Sequence, residues 1–251
     1  AFASNLSAFW ILVANSFMQH PVGYALNNGR AEMTDFFALV TNHYVLGEYS
    51  HTLFSAIATA GFLVLAVSAW KVLHDEVSRQ AFTQTLKAGA IYMLIGLFAT
   101  MGSGHMHAQY LAQANPMKLS SVEALWETAD PAPFAIVADI DEENHRNNME
   151  LTVPGVFSFM LYNSPTGAVK GINQLQQEYA ANYGPGEYRP DVTGLFWSFR
   201  MMIGIGALMI FLGLVTLYLT WKKRPLACPL LLKALPWLLP LPYLANSFGW
   251  Y

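Results

Sequence analysis

The sequence predicts an all-α fold: a polytopic transmembrane helix bundle of about five spans, a single membrane domain over residues 1–251 with one long outer loop. Two observations carry this. Hydrophobic residues make up 54% of the 251 and charged ones only 12%, with a mean hydropathy of +0.32, well away from an ordinary soluble domain. The apolar residues are also gathered into uncharged runs close to the ~20 residues needed to cross a bilayer.

The runs follow one another along the chain. The first, 2–19, carries no Asp, Glu, Lys or Arg, and His20 and Pro21 end it, where termination and capping explain them. The second, 49–70, is bracketed by Glu48 and Lys71; the third is 88–110. Runs 201–221 and 234–251 are the fourth and fifth. Ala1 opens directly into apolar sequence without the basic stretch of a removable signal, and the chain is expected to begin partway through a larger protein.

Between the third and fourth runs the stretch NNMELTVPGVFSFMLYN is too short to span and is broken by Pro154 and Gly155, so it should rest on the membrane surface or on protein. NQLQQEYAANYGPGEY reads as a short helix over about 171–183, stopped by Gly184 and Pro185. No internal repeat or low-complexity linker divides the chain.

Charge limits function and sets orientation. A net charge of -3 with few, scattered bases excludes nucleic acid as a partner. The single cysteine, Cys228, excludes an internal disulfide framework and a Cys-x-x-Cys-His haem attachment. Lys71, Arg79 and Lys87 follow the second run, and Lys222, Lys223, Arg224 and Lys233 follow the fourth, so both loops belong on the cytoplasmic side. The loops 21–48 and 118–199 are then outside, and the second collects eleven of the sixteen acids but four of the thirteen bases.

In that orientation His20, His43, His51, His105 and His107 all lie at or near the outer ends of spans. Spans two and four both run inward from the outer face, so His51 and Met202 lie at similar depth and can face one another across a flat cofactor. An imidazole and a thioether on opposite faces give a six-coordinate iron suited to electron transfer. Met201 rivals Met202 on spacing alone, and gap-filling among packed helices is the plain reading of either. Arg200 can neutralise a haem propionate, or simply snorkel to the interface. His105 and His107, about 200° apart on a helix, cannot serve one face together, and hydrogen bonding behind a ligand or interface packing is expected of them. Oxidising a quinol releases two electrons and two protons, for which a carboxylate and a cation at the membrane edge, Glu123 and Lys118, are suitable neighbours; solvated span ends are the alternative. Glu32 and Asp35 read as a solvated face near the same loop.

The segments SAFWILVANSFMQHPVGY, GRAEMTDF, SHTLFSAI, NPMKLSSVEALW and FWSFRMMIG occur in this order over most of the chain. Together they resemble subunit I of the cytochrome bd-type quinol oxidases. The resemblance implies that His51 and Met202 are the axial iron ligands of a low-spin haem b, with Arg200 beside them. It implies that Lys118 and Glu123 serve quinol binding and oxidation in an outer loop of about 118–199, in the shorter of the family's two forms. It further implies a terminal respiratory oxidase of the bacterial cytoplasmic membrane, in which electrons pass on to a high-spin haem b and a haem d that reduce oxygen to water, building proton motive force without pumping. The partners implied are subunit II, small single-span subunits, quinol, oxygen and membrane lipid. The family's subunit has further helices before residue 1 and further haem ligands after residue 251, so a fragment of a longer subunit is expected.

Two other classes are weighed against this. A diheme cytochrome of the bc kind needs paired histidines well apart along one helix, and span two has only His51. A transporter or channel without haem needs polar residues at mid-membrane, for which Asn15, Ser16, Asn246 and Ser247 are modest candidates.

Overall fold

The computed structural model describes residues 2–251. Helix α1 (Phe2–Gln19) leads into a hairpin of β1 (Tyr24–Asn27) and β2 (Arg30–Met33), then a short α2 (Phe36–Val40) and the long α3 (His43–His74). Helix α4 (Arg79–Ala114) returns antiparallel and gives way to α5 (Pro116–Val122). A second hairpin, β3 (Phe134–Asp141) and β4 (Arg146–Val153), precedes α6 (Val156–Tyr162) and α7 (Ile172–Tyr183). Helix α8 (Val192–Trp221), a 3-10 turn at Pro225–Ala227, α9 (Pro229–Trp237) and α10 (Leu241–Trp250) complete the chain.

Among the described residues three helical stretches are long and apolar enough to cross a membrane: Phe36–His74, α4 and α8. They contain the predicted runs 49–70, 88–110 and 201–221. Each exceeds the hydrocarbon thickness; the 36 residues of α4 alone rise about 54 Å at ~1.5 Å each. Exposed Leu63, Val67, Ile95, Phe98, Phe211 and Leu214 make these helices apolar on the outside as well, as lipid requires. Helix α1 coincides with the first run but is less apolar, having Ser4, Asn5, Asn15 and Ser16.

The fifth run is two short helices rather than one span. Pro236 lies inside α9, and Pro240 begins the turn into α10. Each proline removes an N–H from the i→i−4 ladder, and the joint is closed by the tighter bonds Leu239 N to Pro236 O and Leu241 N to Leu238 O.

Helices α3 and α4 approach at their backbones because glycines line the seam. A Cβ at Gly61 would sit 2.4 Å from the Met93 nitrogen, and one at Gly96 would sit 2.5 Å from the Ala58 nitrogen. Helix α8 packs on α4 and α10, while α3 packs on α4, α9 and, more lightly, α10. Thus α3 and α8 stand across from one another, joined through α4 on one side and α10 on the other. Phe62, Leu65, Met93, Met209, Leu232 and Leu235 form the buried core of this group.

The loop between α4 and α8 has its own core: Trp126, Ala135, Ile172 and Leu175 pack around Phe196 at the head of α8. The chain's fold is mostly helical, as expected, with the two β-hairpins added to it. The first closes through Asn28 and Gly29, both at positive φ, the turn chemistry of a two-residue hairpin. The stretch expected to lie on membrane or protein is β4 followed by α6, which buries Phe157 and Leu161 against the rest of the chain. Helix α7 falls where its sequence placed it, ended at Gly184.

Candidate functional site

Four groups of residues gather where the loop meets the helix ends. The first is on α3. His51 is its ninth residue, about 12 Å along at ~1.5 Å per residue, and Met202 stands about 15 Å along α8 from the same end. The His51 Nδ1 lies 3.3 Å from the Ser103 hydroxyl of α4, and its ring rests over Gly104, where a Cβ would come within 3.0 Å of Cε1. Holding Nδ1 in this way orients the ring and leaves Nε2 free to coordinate, an arrangement common behind metal-binding histidines.

The second group separates the two methionines by their surroundings. Met201 is 46% exposed and faces outward. Met202 is partly buried, with its sulfur against Gly249 of α10, where a Cβ would lie 3.0 Å away. One imidazole nitrogen and one thioether sulfur, each seated on a glycine, at similar depth on two helices that stand across from one another, are donor types that could hold a haem iron.

The third group joins Arg200 to Glu123. Their side chains are 8% and 1% exposed and meet at 2.6 Å. Arg200 also donates from Nε to the Ala135 carbonyl at 2.6 Å and from the other Nη to the Val122 carbonyl at 3.3 Å. Its guanidinium is stacked between the Phe134 and Phe196 rings, each 4.3 Å away. Arg200 is therefore a buried clamp between α8 and the loop rather than a snorkelling surface residue. A guanidinium has five N–H groups, so the clamp leaves some of them uncommitted among the described residues. Burial pushes the Glu123 carboxyl up to about 7, against the pull of Arg200. A carboxyl poised there can both take and release a proton near neutral pH.

The fourth group surrounds Lys118. Asn115 caps α5 by accepting from the Lys118 amide, and Pro116 starts the helix. Lys118 and Glu123 are five residues apart, about 140° around a helix, so they face different ways and no ion pair joins them. The half-buried Lys118 side chain instead carries its ammonium within electrostatic reach of Glu48 and His107. Glu48 accepts from Asn15 Nδ2 at 2.9 Å and from Ser16 Oγ at 3.0 Å. His107 lies over Gly47 with Nδ1 buried and unpartnered, its ring edge-on to Tyr44 at 5.1 Å.

Glu48 had been legible only as the boundary of a span. Its signal was there: an ionisable residue three positions before His51, at the end of an apolar helix, is costly and needs partners. His105 is bound to Asn163 at 3.0 Å, Asp35 caps α2, and Glu32 accepts from Asn27, which accounts for all three without ligand roles.

The whole chain, residues 1–251, matches the sequence model described as cytochrome bd terminal oxidase subunit I. It is 43% identical over its full length to the cytochrome bd ubiquinol oxidase subunit 1 of Bacillus subtilis (strain 168), of which it covers 53%. It is 28% identical to the cytochrome bd-II ubiquinol oxidase subunit 1 of Escherichia coli (strain K12), covering 60% of that protein. Among solved structures, the bd oxidase from Geobacillus thermodenitrificans shares the fold, with a TM-score of 0.85 at 24% identity over all of this chain and 55% of that one. The chain thus spans about half the length of the curated relatives it matches.

Proposed function

The chain belongs to the cytochrome bd terminal oxidase subunit I family, and on that footing we propose that it carries the quinol-oxidising, electron-entry half of a respiratory oxidase in a bacterial cytoplasmic membrane. The single observation that supports this most is the pairing of His51, its Nδ1 held by Ser103, with Met202, seated on Gly249, at similar depth on α3 and α8. In this reading the two side chains hold a low-spin haem b. Such a haem would supply one-electron acceptance from quinol and transfer onward to a high-spin haem b and a haem d, at which oxygen would be reduced to water.

The residues of this chain do the rest. Glu123 takes a proton from quinol and returns it to the outer side, from a site that Arg200 and the Phe134 and Phe196 rings keep away from bulk water. Lys118 steadies negative charge on the quinol oxygen as the proton leaves. Ser103 keeps the His51 ring turned so that Nε2 is presented. Subunit II, small single-span subunits and membrane lipid are the partners in this reading.

The test is spectroscopic and kinetic. His51→Ala should abolish the low-spin b-type band in reduced-minus-oxidised spectra. Lys118→Ala and Glu123→Gln should keep that band while lowering quinol turnover by ~100-fold or more, the usual range for loss of a positioned proton acceptor. A normal band in the His51→Ala oxidase would remove the axial assignment, and wild-type turnover in both loop variants would remove the quinol site.

A further inference from the structure

Quinol oxidation, the reading on which this inference rests, must dispose of two protons, and the buried clamp of Arg200 encloses a single carboxylate, Glu123. We propose that Glu48 is a second proton acceptor for quinol, working on the far side of Lys118 from Glu123. Four observations bear on it. Glu48 is half-buried at the loop-bearing end of an apolar helix, where a carboxylate with no task costs free energy. Its two oxygens are held separately, one by Asn15 and the other by Ser16, and Ser16 is fully buried. Each oxygen has a second lone pair with which to receive a proton or hydrogen-bond a hydroxyl.

Lys118, assigned to the quinol for other reasons, is near enough to act electrostatically on Glu48, so a quinol held by the lysine has this carboxylate on the same side of the bundle. Finally, the neighbouring α4 contributes His107, whose Nδ1 is buried without a partner over Gly47, one residue before Glu48. An orphaned buried imidazole nitrogen within electrostatic reach of the same ammonium adds an unsatisfied polar group to this end of the bundle.

The charged and titratable groups around Glu48 come from every element packed there. Helix α1 offers the neutral Asn15 and Ser16, α5 offers Lys118, α3 itself adds Tyr44, and His107 of α4 lies over the neighbouring Gly47. The step balances simply. Each of the two quinol O–H bonds breaks, one proton going to Glu48 and one to Glu123, while the two electrons leave singly to the acceptor of the proposed function and the ring becomes the quinone. Both carboxylic acids then lose their protons to water on the outer side.

The experiment uses the complete oxidase in membranes, with turnover expressed per reduced low-spin haem so that partial assembly does not enter. Glu48→Gln keeps the volume of the side chain and an acceptor oxygen but cannot take a proton. It should lower quinol turnover at least tenfold, and Glu48→Asp should recover part of the loss. A second readout does not depend on turnover: infrared difference spectra recorded on adding quinol should contain a protonated-carboxyl band that is absent in Glu48→Gln and present in Glu123→Gln.

Wild-type turnover in Glu48→Gln with a slowed Glu123→Gln would overturn the role of Glu48 and leave the quinol site standing. Equal rates for the Asp and Gln variants would also overturn it, since packing alone would then be responsible. Wild-type turnover in both Glu48→Gln and Glu123→Gln would instead remove the quinol reading itself.

Discussion

Arg200 and Glu123 show what a single buried pair does for both folding and chemistry. Both side chains are largely withdrawn from water, so removing one partner leaves the other buried without its compensating charge, a loss of about 3–5 kcal/mol. Arg200→Ala should therefore lower the thermal midpoint of the purified subunit markedly, while Glu123→Gln, which keeps a hydrogen-bonding oxygen, should cost much less. The same pair sets a pH dependence. Burial raises the Glu123 carboxyl from 4.5 to about 7, so between those values the folded protein binds more protons than the unfolded chain. Stability from this group is then greatest at the acid end and declines as pH rises toward 7. Midpoints measured at pH 5 and pH 7.5 should differ more in the wild type than in Glu123→Gln; an equal difference would show that Glu123 contributes nothing to the slope. At this scale the sequence was partly legible. Lys118, Glu123 and Arg200 stood out as charges at span ends, but nothing in their spacing says that the clamp joins residues 77 apart and leaves Lys118 out of it. Such pairings come from how the loop folds on α8, a tertiary fact that local pattern does not carry.

Among the elements, the α3–α4 seam positions everything else, because α4 supplies Ser103, Gly104 and His107 to the site. That seam depends on glycines whose missing Cβ lets two backbones touch. Gly96→Ala would drive a methyl to within 2.5 Å of the Ala58 nitrogen, and backbone cannot step aside as a side chain can. It should cost about 1–3 kcal/mol, typical of overpacking, and reduce haem retention by moving Ser103 away from His51. Gly102→Ala lies on the same helix with nothing within 4 Å and is the control; it should be neutral or slightly stabilising, since Ala is a better helix former by up to ~1 kcal/mol. Haem content per protein, measured for both, separates seam packing from a general effect of losing glycine. Four of the five apolar runs were readable from hydropathy and the helix over 171–183 from its Gly-Pro stop. The hairpins were not: Asn28-Gly29 is a turn signal, yet its strands are fully exposed and lack the apolar alternation that normally reveals one. The fifth run misled for the opposite reason, being apolar enough to span but broken by Pro236 and Pro240.

For the molecule as a whole, the proposed direction of proton release requires the acidic loop and the lysine-bearing turns to lie on opposite sides of the membrane. Lys71, Arg79 and Lys87 fall at the α3–α4 turn, and Lys222, Lys223 and Arg224 fall just after α8. Both sets are at the helix ends opposite the 118–199 loop, because α3 and α8 both start at the loop and α4 ends there. The bias of short cytoplasmic loops toward Lys and Arg is the ground for the proposed orientation, with the loop, Glu123 and Glu48 outside. Cys228, partly buried beside the turn after α8, is a natural reporter for this, and Asn144, exposed at the tip of the β3–β4 hairpin, supplies the opposite one. In a subunit whose sole cysteine is Cys228, a membrane-impermeant maleimide should label inverted vesicles and spare intact spheroplasts; with Cys228→Ala and Asn144→Cys the pattern should reverse. Were Cys228 labelled in spheroplasts instead, protons from Glu48 and Glu123 would be released into the cytoplasm. Quinol oxidation at this site would then build no gradient, and the role given to the outer loop would fall even with His51 and Met202 still holding their haem.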